Sequence, residues 1–127
     1  MLRTPNESDA SERRNEGDHM GDERSYGDIA TKLLMENDRV RIWEMRLDPG
    51  QRSDLHRHDL DYIMIQISGD KMGAHFEPDS GGEWVGQSYV EGPIAPGQVL
   101  YAQRGGIETA ENVGDEPFYE IVVELKD

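Results

Sequence analysis

From Ile29 onward, apolar and polar residues follow one another in short runs: 31–36 (TKLLME), 40–47 (VRIWEMRL), 62–67 (YIMIQI), 71–77 (KMGAHFE), 84–90 (WVGQSYV), 98–102 (QVLYA) and 118–125 (FYEIVVEL). These runs are rich in β-branched and aromatic residues, often alternate with a period of two, and predict strands. The separators carry turn chemistry: Asn37-Asp38, Asp48-Pro49-Gly50, Ser68-Gly69-Asp70, 78–82 (PDSGG), Pro96-Gly97, Gly105-Gly106 and 114–117 (GDEP). No segment has the length and 3.6-residue period of a helix, and no internal repeat points to a solenoid or propeller. Many short strands at even spacing predict an all-β sandwich or barrel.

Alternation also sorts side chains by face. In 62–67, Tyr62, Met64 and Gln66 form one row and Ile63, Ile65 and Ile67 the other. In 118–125 the rows are Phe118/Glu120/Val122/Glu124 and Tyr119/Ile121/Val123/Leu125. Three isoleucines opposite a Tyr/Met/Gln row imply that the second face is covered as well, by another sheet or by a partner subunit.

Residues 1–28 lack either periodicity, and their Glu, Asp, Arg, Ser, Asn and Gly composition predicts a polar, flexible arm with Met20 and Tyr26 as its few anchoring side chains. A 127-residue chain is expected to hold one domain, here 29–127. The formal net charge of −14 comes from 27 acidic and 13 basic side chains. The acidity is spread over both segments, 8 acidic against 4 basic in 1–28 and 19 against 9 in the remainder. Such a surface repels phosphate backbones and anionic lipids, which argues against nucleic-acid and membrane partners. The absence of cysteine removes disulfides, thiolate ligands and thiol nucleophiles. No apolar run is long enough for a signal or a membrane span, so a cytoplasmic address is the default expectation.

His56 and His58 share one strand face, and neutral imidazoles leaving a pleat in parallel can converge on one divalent ion. The charged setting 54–61 (DLHRHDLD) equally suits a hydrogen-bonded pair near a turn. The flanking residues separate these readings. Gly50, His56, His58, Tyr62 and Gly69 reproduce the spacing of the first cupin motif, G-x5-H-x-H-x3-E-x6-G, with Tyr62 in the glutamate position. Gly97, Gln103, Gly105, Glu108 and Asn112 follow the second, G-x5-P-x-G-x2-H-x3-N, with Gln103 for proline and Glu108 for histidine. Over 29–127 the chain resembles the cupin superfamily. It is similar in particular to small bacterial monocupins carrying RVRxWExRLxPG, HRHxxDY and a terminal EIVVELK, including some assigned to β-alanine degradation.

The resemblance implies a double-stranded β-helix, a jelly-roll-like barrel, that assembles as a homodimer and takes a small-molecule ligand or substrate. It places His56, His58 and Glu108 together as ligands of a divalent metal, Fe(II) in a dioxygenase-like site or else Zn, Ni or Mn. Two histidines and one carboxylate suffice for non-haem iron and leave open positions. Tyr62 and Glu108 are the expected catalytic residues, with Met64, Gln66, Tyr101 and Arg104 on the pocket wall. Two alternatives stay open: a non-catalytic ligand-binding or sensing barrel, and a metal-free lyase or isomerase using Tyr62, Glu108 and a histidine as acid and base.

Overall fold

The computed structural model describes residues 23–127. Most of the expected arm, Met20 included, lies outside the described residues. Its last residues run along the domain: Gly27 N donates to Leu55 O at 2.8 Å, Arg24 pairs with Asp79 at 2.8 Å, and the Arg57 guanidinium sits 5.1 Å from the Tyr26 ring centroid.

Among the described residues there are nine strands: β1 (Lys32–Glu36), β2 (Val40–Leu47), β3 (His56–Arg57), β4 (Asp61–Ser68), β5 (Lys71–Phe76), β6 (Tyr89–Pro93), β7 (Val99–Ala102), β8 (Ile107–Asn112) and β9 (Phe118–Leu125). They form two antiparallel sheets, ordered β1-β2-β9-β4-β7 and β3-β8-β5-β6. This is a double-stranded β-helix, all-β as the sequence pattern predicts. No helix among the described residues is long and apolar enough to cross a membrane.

The five-stranded sheet supplies most of the core. Trp43, Met45 and Leu47 of β2, Tyr62 of β4, Ala102 of β7 and Phe118 and Val122 of β9 are buried in one cluster with Ile29 and Ala30. In β9 the inward row is the one that carries acids, Phe118/Glu120/Val122/Glu124, and the wholly apolar Ile121, Val123 and Leu125 are half-buried on the outer face. Glu124 is tolerated because its Oε1 accepts from Trp43 Nε1 at 2.7 Å and from Arg41 Nε at 2.6 Å, a paired and hydrogen-bonded buried charge. The isoleucine row of β4 shares that outer face, with Ile63 and Ile65 half-buried and Ile67 exposed.

Two local readings differ from the sequence expectation. The run 84–90 begins in a single 3-10 turn, Gly82–Trp84, and the strand starts only at Tyr89. Gly86 takes φ +86° and Val85 is exposed between the two, so the apolar residues at 84–85 belong to a turn. β8 carries no hydrophobic signature, because its inward positions are Glu108, Ala110 and Asn112. Asn112 is nonetheless fully buried. Its Nδ2 donates to Leu47 O at 2.9 Å and to Glu116 O at 2.8 Å, and its Oδ1 accepts from Gly114 N at 2.9 Å, tying the ends of β2 and β8 to the start of β9.

Candidate metal centre and its cavity

β3 pairs with β8 so that His56 stands directly opposite Glu108. Side chains opposed in this way leave the sheet on the same face with Cβ atoms about 5 Å apart. His58, two residues on, returns to that face. Its backbone is clamped to the β7–β8 turn, with His58 N donating to Gly106 O and Gly105 N to His58 O, each at 2.8 Å. Gly105 takes φ +112°, and a Cβ on Gly106 would lie 3.0 Å from Glu108 Oε1 and 3.7 Å from His58 Cδ2. The turn therefore needs glycine at one position for its backbone and at the next for room beside the site. The result is a buried His56/His58/Glu108 group whose potential ligand atoms all lie within 4.8 Å of one another.

The local hydrogen bonding suits a cation. His56 Nδ1 lies 2.8 Å from Asp54 O, and a donated Nδ1–H leaves the Nε2 lone pair free. His58 Nε2 is 3.9 Å from Glu108 Oε1, too long for a hydrogen bond, and Glu108 Oε1 and His58 Nδ1 are both buried without a partner. Burial lowers the pKa of both imidazoles, His58 to about 3 with further help from His56, so they stay neutral ligands at ordinary pH. Burial likewise pushes the Glu108 carboxyl up to about 7. A divalent ion would satisfy the orphaned oxygen and hold that carboxyl ionised, so the residues present fit one. Tyr62 stacks on His58, ring centroids 3.9 Å apart and planes 10° from parallel. Burial, reinforced by Glu108, Glu120 and Glu83, raises its hydroxyl pKa, which keeps the phenol protonated.

These residues open on a cavity of about 460 Å³ between the sheets. Of the four residues assigned to the pocket wall from the sequence, Met64 and Gln66 line this cavity. Tyr101 and Arg104 do not, which corrects that expectation. In β7 the inward positions belong to Leu100 and Ala102, so Tyr101 points outward, 55% exposed, and its hydroxyl donates to Asp61 at 3.1 Å. Arg104 lies on the turn and is held outside by Asp61 and by both carboxylate oxygens of Asp127, at 2.9 and 2.8 Å. His75 is also turned away, bonded to Glu111 at 2.7 Å.

One residue absent from the sequence-derived site is Glu120 of β9, which lines the same cavity at 6% exposure. Burial and the nearby Glu108 charge push its carboxyl up to about 8, against a lowering hydrogen bond from Gln66. Its register partners are Gln66 on β4 and Met45 on β2. The signal was its place in the Phe118/Glu120/Val122/Glu124 row, once that row is known to face inward.

No family model matches the sequence, and no curated protein does. Solved structures do match. A cupin domain from Bordetella pertussis Tohama I aligns with TM-score 0.64 at 22% identity, over 82% of this chain and 98% of that one. An RmlC-like cupin with a double-stranded β-helix from Methanocaldococcus jannaschii aligns with TM-score 0.57 at 16% identity, over 80% and 87%. A DMSP lyase from Ruegeria pomeroyi aligns with TM-score 0.52 at 18% identity, over 72% of this chain and 40% of that one.

Proposed function

We propose that this chain, which has the cupin fold, is a metal-dependent enzyme acting on a small metabolite, with a divalent ion held by His56, His58 and Glu108. The observation that carries this reading is the convergence of the three side chains around a buried carboxylate oxygen that has no hydrogen-bond partner among the described residues. Fe(II) is the favoured ion, since two histidines and one carboxylate leave it positions for substrate and oxygen; Zn, Ni and Mn fit the same donors. The bound ion would supply Lewis acidity.

The surrounding residues have separable tasks. Asp54 O fixes the His56 tautomer, and Tyr62 orients His58 by stacking. Glu120 carries a proton near neutrality and is the group suited to give it to or take it from a bound substrate. Met64, Met72 and Phe118 form apolar walls that keep water from competing.

The test is to strip the purified protein of metal and add one equivalent of Fe(II), Ni(II) or Zn(II). Thermal stabilisation that saturates at one ion per chain supports the reading, and no shift with any of them contradicts it. A metal-free acid–base reaction is the second reading, favoured by two cavity carboxyls that titrate near neutrality. Activity surviving a chelator would select it.

A further inference from the structure

The cavity has a second polar centre, away from the imidazoles. Gln66 and Glu120 are register partners on β4 and β9, and Gln66 lies four residues beyond Tyr62, about 13 Å of strand. Gln66 Oε1 is a buried acceptor without a partner, on a side chain only 7% exposed. Among the described residues, the fully buried side-chain oxygens around the cavity without a partner are Gln66 Oε1 at one centre and Glu108 Oε1 at the other. A buried acceptor without a donor costs free energy until a ligand supplies one.

The charges in the cavity point the same way. Among the described residues no Lys or Arg lines it, whereas the buried Glu108 and Glu120 do. The cations nearest by position are engaged on the outside, Arg104 by Asp61 and Asp127, and Lys71 by Glu91 at 2.9 Å. Among the described residues a carboxylate or phosphate therefore finds no cationic side chain in the cavity to pair with. The remaining wall, with Met64, Met72, Trp84 and Phe118, accepts an apolar body.

We propose that the cavity selects a small organic amine, whose N–H groups are held by Gln66 Oε1 and the Glu120 carboxyl while its apolar body fills the methionine and aromatic wall. This specificity rests on the reading of the cavity as a small-molecule site. An ammonium at Glu120 also favours the carboxylate over the acid, so amine binding releases a proton.

Calorimetry near neutral pH tests it, with n-butylamine, n-butanol and butyrate as probes against both the metal-free and the Zn(II)-loaded protein. n-Butylamine is expected to bind at least about tenfold more tightly than butyrate, with n-butanol between them. Glu120→Gln and Gln66→Met are each expected to weaken the amine by at least about tenfold, and Gln66→Met to leave the Zn(II) titration unchanged. Two substitutions on different strands guard against one that disturbs folding, which a thermal melt reveals. Butyrate binding as tightly as the amine, or amine binding indifferent to both substitutions, overturns the proposal. Amine binding in a protein that takes no Zn(II) supports the amine subsite and contradicts the metal centre, so the two readings fail separately.

Discussion

His56 and Glu108 face each other across the β3–β8 pair, residue opposite residue. Only one of them is satisfied by the protein: His56 Nδ1 has Asp54 O, and Glu108 Oε1 has no partner. That asymmetry gives the site its chemical direction, because a cation is the group that would complete the carboxylate and take the free imidazole nitrogen.

Glu108→Gln keeps the shape of the side chain and removes the charge. It should weaken divalent-metal binding by at least about 100-fold, the upper end of what loss of even an outer partner costs a metal site. The metal-free variant should be no less stable than the parent, since burial already disfavours the ionised form. Metal titration and thermal melts of the two proteins check both parts.

Tyr62→Phe and Tyr62→Leu separate the ring of Tyr62 from its hydroxyl. The phenylalanine retains the stack on His58 and should bind metal as the parent does, so any loss of turnover reports the hydroxyl. The leucine loses the stack and should cost about 2 kcal/mol of stability. Its metal affinity should fall about tenfold as His58 loses its orientation.

Gly106→Ala places a Cβ at 3.0 Å from Glu108 Oε1 while asking nothing unusual of the backbone. Metal affinity should drop several-fold, and the unfolding midpoint should move little, by less than about 1 kcal/mol in stability terms. A large stability loss with unchanged metal affinity would show that the space beside Glu108 serves packing alone.

Stability of the metal-free protein should fall as pH rises from about 6.5 to 8. Glu108 and Glu120 hold their protons to about 7 and 8 in the folded chain, against 4.5 for an ordinary glutamate. The stability of their protonated forms is present below 4.5 and lost as pH rises through those folded values. The histidines run the other way, since their lowered pKa contributes stability above 6.5 that is lost as pH falls, so they do not oppose the decline above 6.5. Glu120→Gln should flatten the slope, each proton difference being worth about 1.4 kcal/mol per pH unit. Denaturant midpoints across the range measure it.

The sequence made the barrel legible because β2, β4 and β9 carry apolar residues on a strand period, and their bounds follow from the pattern closely. β8 escaped for a physical reason: Glu108 and Asn112 occupy inward positions, and hydrophobic alternation cannot report a buried acid or a buried amide satisfied by backbone carbonyls. His56, His58 and Glu108 were found by motif spacing, which encodes the β3–β8 register indirectly. Arg104 and Tyr101 were misplaced because neither nearness to a motif, for the arginine, nor aromatic size, for the tyrosine, says which face a side chain takes, and their partners Asp61 and Asp127 are remote in the chain. Glu120 was hidden by ambiguity between two rows of one strand. The more apolar row looks like the core, yet the acid-bearing row is the one that faces the cavity.

Elemental analysis of the protein, produced without contact with an affinity metal and dialysed before measurement, bears on the central claim most directly. The account predicts about one divalent transition-metal ion per chain for the parent and a marked loss in His56→Ala and Glu108→Gln. A metal-free parent that also fails to take up Fe(II) or Zn(II) would contradict it.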